Sequence, residues 1–68
     1  MFSYNPLWKT LLDKNMNKTE LSKTAKITTQ TMADMGKNKF VNMSTLNKIC
    51  NTLQCEISDV IEHFPDNE

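Results

Sequence analysis

Apolar residues recur along this chain in helix-like groups, each separated from the next by a polar break. Leu7, Trp8, Leu11 and Leu12 are spaced i, i+1, i+4 and i+5, which gathers them on one face of a first helix, and Pro6 suits its opening turn. Asn15, Met16 and Asn17 interrupt that pattern. Asn17 with Glu20 three residues later makes the N-cap and N3 pair of a second helix over about 18–25, with Leu21 and Ala25 facing inward. Thr28 suits the N-cap of a third helix over about 29–35, whose inward residues are Met32 and Met35. Either Gly36 or Asn38 is expected to take the left-handed conformation that ends it, leaving Lys37, Asn38 and Lys39 as a polar loop. Asn42 then caps a fourth helix with a stripe of Leu46, Ile49, Cys50 and Leu53. Ile57, Val60, Ile61 and Phe64 predict a fifth, with Glu56 and Asp59 at its positive dipole end and Pro65 as its stop.

No segment alternates convincingly with period two, so no strand is expected. Short helices are marginal alone and must share one core. Trp8, the leucines, four of the five methionines and Ile27 are its expected members, which makes the methionines packing residues rather than a ligand surface. The fold class is therefore all-α, a compact bundle of five short helices in a single domain over residues 1–68.

Composition removes several functional classes. With 38% hydrophobic and 24% charged residues, the chain is too apolar and too balanced for a disordered tail. No apolar run approaches the roughly 20 residues of a membrane-spanning helix. "MFSYNPLWKT" lacks the basic start and small-residue cleavage site of a secretory signal, so no membrane association and a cytoplasmic location are expected. Cys50 and Cys55 are read as small core hydrophobes with reduced thiols. With His63 alone they cannot complete a four-ligand zinc site, and no metal or cofactor is expected. The single histidine has no nucleophile partner at a known spacing, and a single glycine excludes phosphate-loop and dinucleotide motifs. The sequence does not read as an enzyme, and no small-molecule ligand is evident.

Charge changes the picture more by distribution than by total. The net charge is zero, yet residues 1–39 hold seven lysines against three acidic residues, a net of +4. Residues 40–68 hold only Lys48 against five acidic residues, a net of −4. A neutral chain can thus present one basic and one acidic face. Arginine is absent, so anion contacts must use lysines, hydroxyls, amides or backbone N–H groups.

The informative spacing lies within residues 18–36. Counting Lys18 as the first position, the fourth, eighth, tenth, fifteenth and eighteenth are Leu21, Ala25, Ile27, Met32 and Met35. All are apolar among mostly polar neighbours, as two short helices crossing at a tight turn require. Together "YNPLWKTLL", "KTELSKTAKITTQTMADMGKNK" and "LNKICNTLQCEISDVIE" resemble the Cro/C1-type helix-turn-helix family of bacterial and phage DNA-binding domains, specifically its compact stand-alone regulators. Two positions depart from the pattern. Lys26 occupies the turn position usually held by glycine, where a left-handed residue costs about 1 kcal/mol, and Ser22 replaces a usual alanine.

The resemblance implies a lambda-repressor-like, repressor-like transcriptional regulator whose third helix enters the major groove of double-stranded DNA. On that helix Thr29, Gln30, Ala33 and Asp34 face away from the core and are the expected base readers. Gln30 can bond bidentately to adenine, Thr29 and Ala33 can meet a thymine methyl, and Asp34 can accept from cytosine. Phosphate contacts are expected from Asn17, Lys18, Thr28, Lys37, Asn38 and Lys39, assisted by helix N-termini. A homodimer on a palindromic operator follows from the family and from the small surface of one module. The dimer interface is open: Val60, Ile61 and Phe64, with Phe2 and Tyr4, suit either an interface or the core. The competing reading is a helix-turn-helix-like protein-interaction module with weak or lost DNA binding, supported by zero net charge and the lack of arginine.

Overall fold

The computed structural model describes residues 1–67, and in them the chain forms four α-helices rather than five, together with a two-stranded sheet. In order these are β1 (Phe2–Ser3), α1 (Asn5–Asp13), α2 (Lys18–Ala25), α3 (Thr29–Gly36), α4 (Met43–Leu53), a single 3-10 turn (Ile57–Asp59) and β2 (Glu62–His63).

The helices start where the sequence marks them. Asn17 and Glu20 bond reciprocally, Glu20 N–H to Asn17 Oδ1 at 2.8 Å and Asn17 N–H to Glu20 Oε1 at 3.2 Å. Thr28 accepts from the Thr31 amide at 3.1 Å, and Asn42 from the Thr45 amide at 2.9 Å. Past the C-terminus of every α-helix stands a left-handed residue, and none is glycine: Asn15, Lys26, Asn38 and Gln54, with φ of 50–57°. Of the two candidates for ending α3, Asn38 takes that conformation, and Gly36 stays within the helix.

The fifth helix does not form. Its apolar spacing fits, but the segment is short, rich in β-branched residues and bounded by Pro65, which disfavours helical backbone at Phe64. One 3-10 turn closes through Val60 N–H to the Ile57 carbonyl at 2.9 Å. The chain then extends and pairs Glu62 with Ser3 and His63 with Phe2, antiparallel. The expectation of no strands is thereby corrected. Two-residue strands are too short for an alternating pattern to register, and this pair joins positions some sixty residues apart.

The core gathers Leu7 and Leu11 of α1, Leu21 and Ala25 of α2, Met32 and Met35 of α3, Leu46, Ile49 and Leu53 of α4, and Val60 and Tyr4 from the flanks. Trp8, Met16, Ile27, Cys50, Cys55 and Ile61 are half-buried around it. Two expected members are absent, Leu12 and one of the four expected methionines. Leu12 is 77% exposed, because α1 packs through the Leu7–Leu11 edge and turns its neighbour outward. Met1 and Met43 are also exposed, so two methionines fill the core, with Met16 at its border. Both cysteines are free thiols. Burial first, then nearby Cys50 and Asp59, pushes the Cys55 thiol up, which favours its protonated form.

Candidate nucleic-acid interface

Two eight-residue helices meet across the three residues 26–28, and that turn depends on Lys26 at φ 57°, ψ 49°. The Ile27 amide there donates back to the Ser22 carbonyl at 2.9 Å, closing the end of α2. Leu21, Ala25, Met32 and Met35 are buried and Ile27 half-buried, which fixes the face that α3 turns outward. On that face Thr29, Gln30 and Ala33 are exposed and Asp34 is half-buried.

Gln30 and Asp34 are not independent. Gln30 Nε2 donates to Asp34 Oδ1 at 3.0 Å, one helical turn along. An amide has two N–H donors and one acceptor oxygen. The contact with Asp34 occupies one donor and leaves the second N–H and the carbonyl oxygen free. That is the donor–acceptor pair that matches adenine N7 and N6. Asp34 thus orients the Gln30 amide and leaves that pair of groups unoccupied.

Beside this face, an open groove of about 410 Å³ runs between the start of α2 and α3, lined by Lys18, Thr19, Ser22, Thr29, Met32 and Ala33. Lys18 Nζ lies 4.2 Å above the centre of the Trp8 ring, where a cation is favoured over the ring face. Asn17 is exposed but spends its side-chain oxygen on the cap. Thr28 is occupied twice, accepting from the Thr31 amide and donating to Thr31 Oγ1 at 2.9 Å. Lys37, Asn38 and Lys39 are all exposed at the other end of α3. Among the described residues no lysine lies within ion-pair distance of a carboxylate, so the basic groups around α3 are not neutralised from within.

The loop after α3 is held by a residue that local patterns do not mark. Buried Tyr4 donates its hydroxyl to the Lys39 carbonyl at 2.7 Å, and its own amide donates to Asn38 Oδ1 at 3.2 Å. Asn38 therefore anchors its loop with its oxygen and keeps only its Nδ2 group for an outside contact. Ser3 supports the same corner, buried and accepting from the Asn5 amide at 3.1 Å. The one signal for Tyr4 was an aromatic with a polar tip close to a predicted helix start, which does not reveal a partner 35 residues away.

Two helices crossing at a short left-handed turn, with a polar outer face on the second, define a helix-turn-helix protein. Residues 6–66 match the Cro/C1-type HTH DNA-binding domain family, and the chain belongs to that family. Over 60 residues it is 35% identical to the uncharacterized HTH-type transcriptional regulator YozG of Bacillus subtilis (strain 168), covering 85% of this chain and 71% of that protein. The crystal structure of the transcriptional regulator VanUg superposes with a TM-score of 0.91 at 42% identity, covering 96% of this chain and 87% of that one. No helix among the described residues is long and apolar enough to cross a membrane.

Proposed function

We propose that this protein is a sequence-specific, DNA-binding transcriptional regulator that inserts α3 into the major groove and acts as a homodimer on a palindromic operator. In this reading Thr29, Gln30, Ala33 and Asp34 face base edges, with Gln30 as the principal reader. Asn17 and Lys18 meet phosphates at the start of α2, and Lys37, Asn38 and Lys39 meet them beyond α3. Thr28 contributes through the helix start it caps.

The observation that carries the reading is the Gln30–Asp34 pair on the outer face of α3, which leaves one Gln30 N–H and its carbonyl oxygen without an internal partner, while Lys18, Lys37 and Lys39 stand outside any ion pair among the described residues. Belonging to a DNA-binding family and the relatives' names as transcriptional regulators support the same conclusion.

Protection footprinting of the region upstream of the protein's own gene, at two salt concentrations, tests it. The expected result is a protected palindrome whose half-sites are separated by about one helical turn. Gln30→Ala should lose about 1–3 kcal/mol on that site and blur its sequence preference. Unchanged footprints with Gln30→Ala would remove Gln30 as a base reader. No protection at either salt would favour the protein-interaction reading.

A further inference from the structure

The left-handed residue that ends α4, Gln54 at φ 50° and ψ 52°, turns the chain back over the last turn of the helix. The Cys50 carbonyl accepts from the Gln54 amide and again from the Cys55 amide, the latter at 3.1 Å. Such a closure brings the side chains at its two ends together, a place ordinarily taken by an apolar pair. Here both are cysteines. Their thiols are free, both residues are half-buried, and the Cys55 thiol is in hydrogen-bonding contact with Cys50. Each also faces an open hollow of its own. Cys50 lines one of about 290 Å³ with Met43, Leu46, Asn47 and Ile57, none of them charged. Cys55 lines one of about 620 Å³ beside Asp13, Glu56, Asp59 and Lys14, a lining of net negative charge.

We propose that Cys50 and Cys55 form a dithiol site that a low-molecular-weight disulfide oxidises, reversibly, to an intramolecular Cys50–Cys55 bond. Two cysteines can be bridged without backbone movement only when their Cα atoms lie within about 7 Å. The direct backbone hydrogen bond between these two holds that separation to about 7 Å at most, by the lengths of the bonds on either side of it. Cys50 is the attacking sulfur. Its hollow carries no charge, whereas the acidic lining repels an anionic oxidant from Cys55 and burial favours the Cys55 thiol over its thiolate. The Cys50 thiolate attacks one sulfur of the oxidant, whose S–S bond breaks; a mixed disulfide forms and one small thiol leaves. The Cys55 sulfur, giving up its proton, then attacks Cys50 Sγ, forms the internal bond and displaces the second small thiol. The cysteines lose two electrons and two protons, and the oxidant gains both pairs. Once formed, the bond fastens the end of α4 to the segment entering the 3-10 turn, which Thr10 Oγ1 ties to α1 through the Asp59 carbonyl at 2.8 Å.

The site shares no residue with the proposed DNA face, and it is tested without DNA. The full chain is equilibrated with mixtures of oxidised and reduced glutathione, quenched in acid, alkylated and weighed by intact-mass spectrometry. The expected product is a single chain short of two hydrogens, with no alkyl label, whose share rises with the oxidised fraction and returns to dithiol with excess dithiothreitol. Cys55→Ser should stop at the mixed disulfide and carry one glutathione on Cys50. Cys50→Ser should gain its glutathione about ten-fold more slowly, because the remaining thiol is the protonated, acid-flanked one. The wild-type measurement stands without either variant should a serine disturb folding. A wild type that remains dithiol across the series, collects two glutathiones, or links two chains instead overturns the proposal, as does Cys50→Ser reacting as fast as Cys55→Ser.

Discussion

Gln30 and Tyr4 show how much of this protein's chemistry depends on single contacts. Gln30 is exposed and legible, because the helical period of its apolar neighbours places it on the outer face of α3. Its hydrogen bond to Asp34 ties together two side chains that the sequence presents as independent. Tyr4 is the opposite case, a buried residue with long-range partners. Its hydroxyl satisfies the Lys39 carbonyl, so Tyr4→Phe should destabilise the fold by about 1–2 kcal/mol and lower the melting temperature by several degrees. Burial, opposed more weakly by the nearby Val41 amide, raises the Tyr4 hydroxyl above its ordinary value of 10.0. A raised folded value means that Tyr4 contributes its full stability below the unfolded value, and that this contribution disappears as pH climbs through the folded one. Thermal melts from neutral to strongly alkaline pH should therefore show a steeper alkaline loss in the wild type than in Tyr4→Phe. Tyr4 is the sole tyrosine, so tyrosinate absorbance reports its ionisation directly.

At the scale of elements, starts were more legible than ends. Asn17, Thr28 and Asn42 are caps whose side-chain chemistry acts within three residues, so the sequence alone identifies them. The ends use left-handed residues that the sequence marks less sharply, because glycine is missing from all four positions: Lys26 and Asn38 were candidates, Asn15 and Gln54 were not. Gln54 at φ 50° carries the strain of a side chain in that region, whereas Gly36 sits in a helix with ordinary φ and room for a Cβ, whose nearest neighbour would be Lys18 Nζ at 3.8 Å. Gln54→Gly and Gly36→Ala should each stabilise the protein by about 0.5–1 kcal/mol. Gln54→Ala, which keeps the Cβ, should not. Denaturant midpoints at constant slope check all three. The fifth helix failed for a related reason. A spacing of i, i+3, i+4, i+7 states which residues share a face if a helix forms, but not whether strand pairing with a distant segment is preferred.

For the whole molecule, zero net charge conceals a division that matters to its partner. Lysines outnumber acidic residues throughout the first 39 residues, and among the described residues none is held in an internal ion pair. Under the proposed function, Lys18, Lys37 and Lys39 from each of two copies would make about six phosphate contacts, which predicts a slope of log affinity against log salt near −5. Lys39→Ala should make that slope shallower by about two, one phosphate per copy, and weaken all sequences alike. Electrophoretic mobility shifts over a salt series measure both. A slope near zero would contradict phosphate-driven binding.

The sequence by itself determined the helix-turn-helix unit, its caps and its outward face, because those follow from interactions within a few residues and from a 3.6-residue period. Leu21, Ala25, Met32 and Met35 went to the core, and Thr29, Gln30 and Ala33 went to the surface, as that period requires. Tertiary structure decided what depends on segments far apart in the chain. It exchanged the last helix for a strand against residues 2–3, sent Leu12 to solvent, drew Tyr4 and Val60 inward and left Phe40 and Met43 uncovered. Each of these is a competition between alternative partners for the same backbone or side chain. Local spacing does not encode the winner of such a competition, because the winning partner lies tens of residues away.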